Sequence, residues 1–165
     1  MWKVFKAGEI IDFAVQIEKN GEKFYSALAK NMEDEKLKQV FSSLAEEERQ
    51  HIKDFQKIMG DLTDTPVSES YPGEYEEYVK GLAENHVFKG ELQENQLLGK
   101  IKGPMDAISL AIGFEQDSLL FFHELKELVS PRAQETVEKL IKEEKLHIVK
   151  LMELKRIYSC SCLCC

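Results

Sequence analysis

The sequence predicts an all-α protein, an antiparallel four-helix bundle with a long crossover between the second and third long helices. Three observations carry that expectation. Apolar residues recur at alternating three- and four-residue spacing over four long stretches. The prolines, Pro66, Pro72, Pro104 and Pro131, fall at or between those stretches. The second half of the chain also repeats the pattern of the first. The bulk numbers agree: 165 residues, 43% apolar and 32% charged, suit one globular domain with its own core.

The first helix is expected over 8–31, with Ile11, Ala14, Glu18, Gly21, Tyr25, Leu28 and Met32 along one seam. The second, 35–59, carries Leu37, Phe41, Leu44, Glu48, His51, Phe55 and Ile58. The turn between them, near Asn31–Glu35, is short enough to require an antiparallel neighbour. The stretch DLTDTPVSESYPG (61–73) is a loop by composition. Residues 74–100 are helical but less sharply patterned, so 60–103 is read as a crossover holding a shorter helix or two. The third helix, 104–129, presents Ile108, Ala111, Glu115, Ser118, Phe122, Leu125 and Val129. The fourth, 131–158, presents Val137, Leu140, Glu144, His147, Leu151, Leu154 and Tyr158. Between these two, Ser130 can cap and Pro131 can occupy the first helical position. The bundle is therefore assigned to 1–158 and a Cys-rich tail to 159–165. Cys160, Cys162, Cys164 and Cys165 cluster there and close no distant loop; they are read as incidental thiols on a disordered or helix-terminal tail.

Each seam is interrupted at its centre by a carboxylate where packing alone would place an apolar residue. IEKNGEKFYSALA (17–29) parallels FEQDSLLFFHELK (114–126), and LAEEERQHIKDF (44–55) parallels LIKEEKLHIVKL (140–151). Thirty residues separate Glu18 from Glu48, and twenty-nine separate Glu115 from Glu144. Glu-x-x-His on a helix puts both side chains on one face, and the spacing occurs twice, at Glu48/His51 and Glu144/His147. Four carboxylates buried without cations would repel one another and lose their hydration. Two divalent ions with shared carboxylates neutralise them. One imidazole per metal among oxygen-rich ligands suits iron or manganese, better than a Cys-rich zinc site would. The candidate metal ligands, which are also the candidate catalytic residues, are Glu18, Glu48, His51, Glu115, Glu144 and His147.

These motifs, EKNGEKFY from Glu18, ERQH at Glu48–His51, FEQDSLLFF around Glu115 and EKLH at Glu144–His147, resemble the ferritin-like superfamily and in particular its rubrerythrin-like branch. The resemblance covers 8–58 and 104–157. It implies two iron ions, with manganese or a mixed pair as the variants. It further implies terminal carboxylates at Glu18 and Glu115, bridging carboxylates at Glu48 and Glu144, and nitrogen ligands at His51 and His147. Two departures stand out. Rubrerythrins carry a further glutamate one turn after the third-helix ligand, where this chain has Ser118, so the site resembles the more symmetric bacterioferritin ferroxidase centre. The Cys160–Cys165 cluster also does not supply the paired knuckles of a rubredoxin-like domain. A separate donor, rubredoxin-like or a flavoprotein, or ferrous iron itself, is then the expected electron source.

The other polar candidates are read more plainly. Gly21 and Ser118 either pack helices closely or leave room for a ligand. Tyr25 is read mainly as a core residue with its hydroxyl bonded, the alternatives being donation to a bridging carboxylate or a redox role. Phe24, Phe121 and Phe122 serve the core or a subunit contact. Glu46, Glu47 and Glu143 belong to the solvated face. Glu84 and His86 are two apart and cannot share a helical face, so with Glu91 and Glu94 they make no third metal site. A net charge of -8 disfavours nucleic acid and anionic lipid. No run of eighteen apolar residues and no secretory signal is present, which makes a cytoplasmic protein the expectation. A homo-oligomer, with a dimer favoured, is expected. The activity implied is reduction of hydrogen peroxide or dioxygen, the alternatives being a ferroxidase and a metal-stabilised binding module without turnover.

Overall fold

Four helices form where the three-four spacing places them: α1 (Ala7–Asn31), α2 (Glu35–Ile58), α3 (Pro104–Leu128) and α4 (Pro131–Ser161). The computed structural model describes residues 7–59, 73–74, 77–78, 81 and 98–161. The turns close as their residues dictate. Asp34 caps α2, its Oδ1 accepting from the backbone N–H of Lys36 and Leu37 at 2.9 and 3.1 Å. Ser130 Oγ accepts from Ala133 N–H at 3.3 Å at the start of α4, with Pro131 as the first helical residue. Pro104 opens α3, where Asp106 accepts from Lys102 N–H at 3.0 Å. The helix α4 continues three residues past the expected end at 158, taking in Cys160, which is exposed.

The predicted seams are the core. Every seam residue is buried except Met32 and Tyr158, which are half-buried. Two apolar layers result. One joins Ile11 and Ala14 of α1 to Phe55 and Ile58 of α2, Phe122 and Leu125 of α3, and Val137 and Leu140 of α4. The other joins Tyr25 and Leu28 to Leu37, Phe41, Ile108, Ala111, Leu151 and Leu154. Each fully buried Leu or Phe in these layers contributes about 1.5–3 kcal/mol.

The composition of the layers fixes the topology. The start of α1 and α4 lies with the end of α2 and α3, so α1 parallels α4 and both are antiparallel to α2 and α3. Beyond the two hairpins, α1 packs on α3 and α2 on α4. The helix α2 therefore ends at the opposite end of the bundle from the start of α3. The connection between them must travel the bundle's length, about 35 Å for helices of this size, which is why a crossover is needed. Of the helical stretch expected in 74–100, Glu74, Glu77, Tyr78, Gly81 and Leu98 are helical among the described residues, and Tyr78 Oη lies 3.5 Å from Glu124 Oε1 of α3. Glu84, His86, Glu91 and Glu94 lie outside the described residues. No helix among the described residues is long and apolar enough to cross a membrane.

Candidate metal centre

Between the two apolar layers lies a belt of buried polar side chains. Glu18, Glu48, Glu115 and Glu144 are at most 1% exposed, and His51 and His147 at most 2%. Each comes from the middle of a different helix, or with its Glu-x-x-His partner from the same one, so the apolar packing above and below sets their height. The imidazoles stack at 5.4 Å between centroids and 15° between planes.

Both imidazoles turn Nδ1 into the belt. His51 Nδ1 lies 2.8 Å from Glu144 Oε1, 3.2 Å from Glu18 Oε2 and 3.4 Å from Glu48 Oε2. His147 Nδ1 lies 3.1 Å from Glu144 Oε2, 3.4 Å from Glu115 Oε1 and 3.6 Å from Glu48 Oε1. Glu48 and Glu144 thus send one oxygen towards each imidazole, the disposition that a bridging ligand needs. Two overlapping sets result: Glu18, Glu48, His51 and Glu144, and Glu48, Glu115, Glu144 and His147. In each set the potential ligand atoms lie within 4.8 Å of one another.

The electrostatics suit bound cations. Burial raises the pKa of Glu18; burial and the charges of Glu18 and Glu144 push Glu48 well above the usual carboxylate range. Burial and Glu144 do the same to Glu115. Burial also opposes the charge of Glu144, but its close contacts with Glu115, His147 and His51 outweigh it and hold that carboxyl low. For the imidazoles burial opposes charge as well. Contacts with Glu144, Glu18 and Glu48 nevertheless raise His51, and those with Glu115, Glu144 and Glu47 raise His147. Two imidazoles cannot neutralise four carboxylates. Accordingly Glu18 Oε1, Glu48 Oε1, Glu115 Oε2 and Glu144 Oε1 are buried without a hydrogen-bond partner. The short approach of His51 Nδ1 to Glu144 Oε1 lacks the alignment of a hydrogen bond. Each such oxygen costs about 1–3 kcal/mol, more when charged. Two divalent cations would remove that cost and bring the four carboxylates to neutrality, so the residues fit a two-metal centre.

The rubrerythrin family's sequence profile matches residues 9–155. The chain belongs to the rubrerythrin family. Among solved structures, a Thermotoga maritima protein described as ferritin-like and diiron-carboxylate is 29% identical, with 92% of this chain and 95% of that one covered and a TM-score of 0.68. Nothing among the curated proteins matches. The bundle with its crossover is thus the ferritin-like fold of that family, and the expected resemblance holds.

Around the rubrerythrin-family belt stand residues whose placement the sequence did not reveal. Glu47 and Glu143 are not solvated-face residues. Glu47 Oε2 lies 3.0 Å from His147 Nε2, and Glu143 Oε2 lies 3.2 Å from His51 Nε2. The glutamate that precedes the ligand-type Glu in each hairpin thus reaches the histidine of the other hairpin. A carboxylate on Nε2 fixes the tautomer and presents Nδ1 to a metal. The signal was available in the paired Glu47-Glu48 and Glu143-Glu144, but helical spacing alone could not say that it crossed the bundle. Lys150 Nζ, at 2.8 Å from both oxygens, and Ser43 Oγ, at 2.9 Å, hold Glu47 further. The His147 contact above all brings its pKa down to about 2. Glu46, by contrast, is exposed and pairs with Arg49, as expected of the solvated face.

Tyr25 is wholly buried and donates its hydroxyl to Glu115 Oε1, not to Glu48 or Glu144. Burial, then the charges of Glu115 and Glu48, push the phenol well above its usual value, so it holds its proton. The equivalent position in the other half is Phe122, which has no hydroxyl, and the two halves differ there. Gly21 lies against Phe114 and the Glu48 carboxyl. Ser118 donates to Phe114 O at 3.2 Å. Phe24, Phe121 and Phe122 are core residues.

Proposed function

We propose that this protein is a non-haem di-iron oxidoreductase that reduces hydrogen peroxide or dioxygen. One observation supports it above the others: Glu48 and Glu144 each direct one oxygen to either imidazole, which makes two ligand sets that share two carboxylates. Glu18 and His51 complete one set, and Glu115 and His147 the other. Two ferrous ions held there would supply two electrons, enough to take hydrogen peroxide to two waters or dioxygen to hydrogen peroxide; manganese or a mixed pair would fit the same donors.

The chain's own residues do the rest. The apolar layers on either side of the belt exclude bulk water from it. Glu143 and Glu47 hold His51 and His147 with Nδ1 inward. Tyr25 keeps a proton at its hydroxyl beside Glu115. A ferroxidase is the second reading, and Ser118 favours it: its hydroxyl bonds to the α3 backbone, which leaves one carboxylate and one imidazole to each half around the shared pair.

Anaerobic stopped-flow spectroscopy of the protein reconstituted with two ferrous ions separates these. Rapid oxidation by peroxide with dioxygen much slower, lost in Glu18→Ala and Glu115→Ala, is the expected result. Faster reaction with dioxygen followed by oxidation of further iron would establish the ferroxidase. Negligible oxidation by either, with two metals bound, would leave a binding module without turnover.

A further inference from the structure

Glu48 and Glu144 belong to both ligand sets, so any difference between the two metal positions lies in the ligands they do not share. Those are Glu115 and His147 for one position, Glu18 and His51 for the other. The sequence repeat makes the two pairs alike, but their surroundings differ. Around the first pair the support is complete. Glu47 Oε2 is hydrogen-bonded to His147 Nε2 at 3.0 Å. Lys150 Nζ donates to both oxygens of Glu47 at 2.8 Å, and Ser43 Oγ donates to Oε1 at 2.9 Å. Glu115 Oε1 accepts from the Tyr25 hydroxyl, which leaves Oε2 without a partner.

Around the second pair it is sparse. Glu143 Oε2 approaches His51 Nε2 at 3.2 Å without the alignment of a hydrogen bond. Among the described residues its other charged partner is Lys139, 3.6 Å from Oε1 and also 3.7 Å from Asp54. Phe122, at the place equivalent to Tyr25, has no hydroxyl to give Glu18. The Glu47 and Glu143 side chains are equally exposed, at 35%, so partners and not burial distinguish them. A carboxylate held against Nε2 fixes the imidazole and raises its basicity, and its loss typically costs about 10–100-fold in metal affinity. Lys150 draws charge from Glu47 and offsets part of the gain in basicity. It does not offset the gain in placement, because a half-buried carboxylate that nothing anchors turns to water. We propose that the two metal positions are unequal: the one built on Glu115 and His147 fills first, and Lys150 is a positioning residue that favours it through Glu47. The position built on Glu18 and His51 then holds the more exchangeable ion. This rests on the two-metal reading of the belt.

Cobalt is the probe, supplied at one equivalent to the full chain and located in crystals by anomalous scattering. Repulsion between neighbouring cations splits even identical positions into two binding steps. Where the first ion sits therefore decides, not the number of steps. About ten-fold more cobalt beside Glu115 and His147 than beside Glu18 and His51 is expected. Lys150→Met should bring the two positions to within about three-fold of each other. Lys150→Arg should restore most of the preference, and Lys139→Met should leave it as in the parent. In solution, calorimetric titration should show the first step weakened in Lys150→Met and unchanged in Lys139→Met, with circular dichroism of both as in the parent. Equal occupancy in the parent, or a first ion beside Glu18 and His51, would overturn the inequality. A preference unaltered in Lys150→Met would overturn the role of Lys150. A protein that takes up cobalt at neither position would sink the two-metal reading, and this proposal with it.

Discussion

Gly21→Ala probes whether the bundle was shaped around the Glu48 carboxylate. A methyl group at Gly21 would lie 3.0 and 3.2 Å from Phe114 Cε1 and Cζ and 3.3 Å from Glu48 Cδ. Carbon atoms pack at about 3.5–4.0 Å, so both neighbours must retreat by several tenths of an ångström. Phe114 has little room to do so, being buried and stacked on Phe24 at 5.7 Å. The substitution by itself improves helix propensity by about 0.8–1 kcal/mol, and overpacking a filled core costs about 1–3 kcal/mol. The expected net change is a loss of about 0–2 kcal/mol. Gly113, inside α3, is the control: a methyl there meets nothing within 4 Å, and Gly113→Ala should stabilise by about 1 kcal/mol. Urea unfolding of the metal-free protein should therefore separate the two variants by about 1–3 kcal/mol. Calorimetric titration with cobalt should show a further difference. Glu48 lies in both ligand sets, so its displacement should weaken metal binding about ten-fold or more, whereas Gly113→Ala should bind as the parent does. Equal stabilisation by both substitutions, with cobalt affinity untouched, would refute the claim that Gly21 makes room for Glu48.

Four further outcomes are expected. Tyr25→Phe keeps the ring contacts with Phe24 and Phe41 but removes the donor to Glu115; the metal-free protein should lose about 1–2 kcal/mol, and an unchanged melting temperature in calorimetry would show that the hydroxyl contributes nothing. Glu47→Ala and Glu143→Ala should each weaken the binding of one metal ion by about ten-fold in cobalt titrations, while circular dichroism shows an intact bundle. Asp34→Ala should lower the melting temperature and Asp34→Asn, which can still cap, should lower it less. Tyr158 first, then the α2 N–H groups, hold the Asp34 carboxyl below its usual range. Its contribution is therefore present above the unfolded carboxylate pKa and lost as pH falls through the lower folded value, and melting curves of the parent and Asp34→Ala should converge there. Chelation of a metal-loaded sample should lower stability, by about 2.7 kcal/mol when the free metal had stood at a hundred times its dissociation constant; identical melting with and without chelator would mean that the belt holds no ion.

Much of the bundle was legible because helix periodicity is local. The three-four spacing that yields the seams depends only on a residue's own helix, and Ile11 through Leu154 lie in the core as that spacing requires. The belt was legible for a second reason. A carboxylate at the centre of every seam, with Glu-x-x-His in two of them, is improbable as packing and simple as metal chemistry, and the two hairpins repeat it. Likewise Ser130 and Pro131 act within a turn of their own position, so their roles at the start of α4 could be read directly.

What the sequence by itself determined, then, were the helices, their turns and the six inward-facing polar residues, all consequences of short-range spacing. Only the tertiary structure decided which groups meet across the bundle. Glu47 and Glu143 have the helical position of solvated residues, and the rotation of α2 against α4 carries them to His147 and His51 of the opposite hairpin. Tyr25 bonds Glu115, ninety residues away, because α1 packs antiparallel on α3. The two halves of the repeat cease to be equivalent there, since Phe122 has no hydroxyl. Spacing along a helix sets which way a side chain points, whereas its partner depends on how neighbouring helices are turned and stacked.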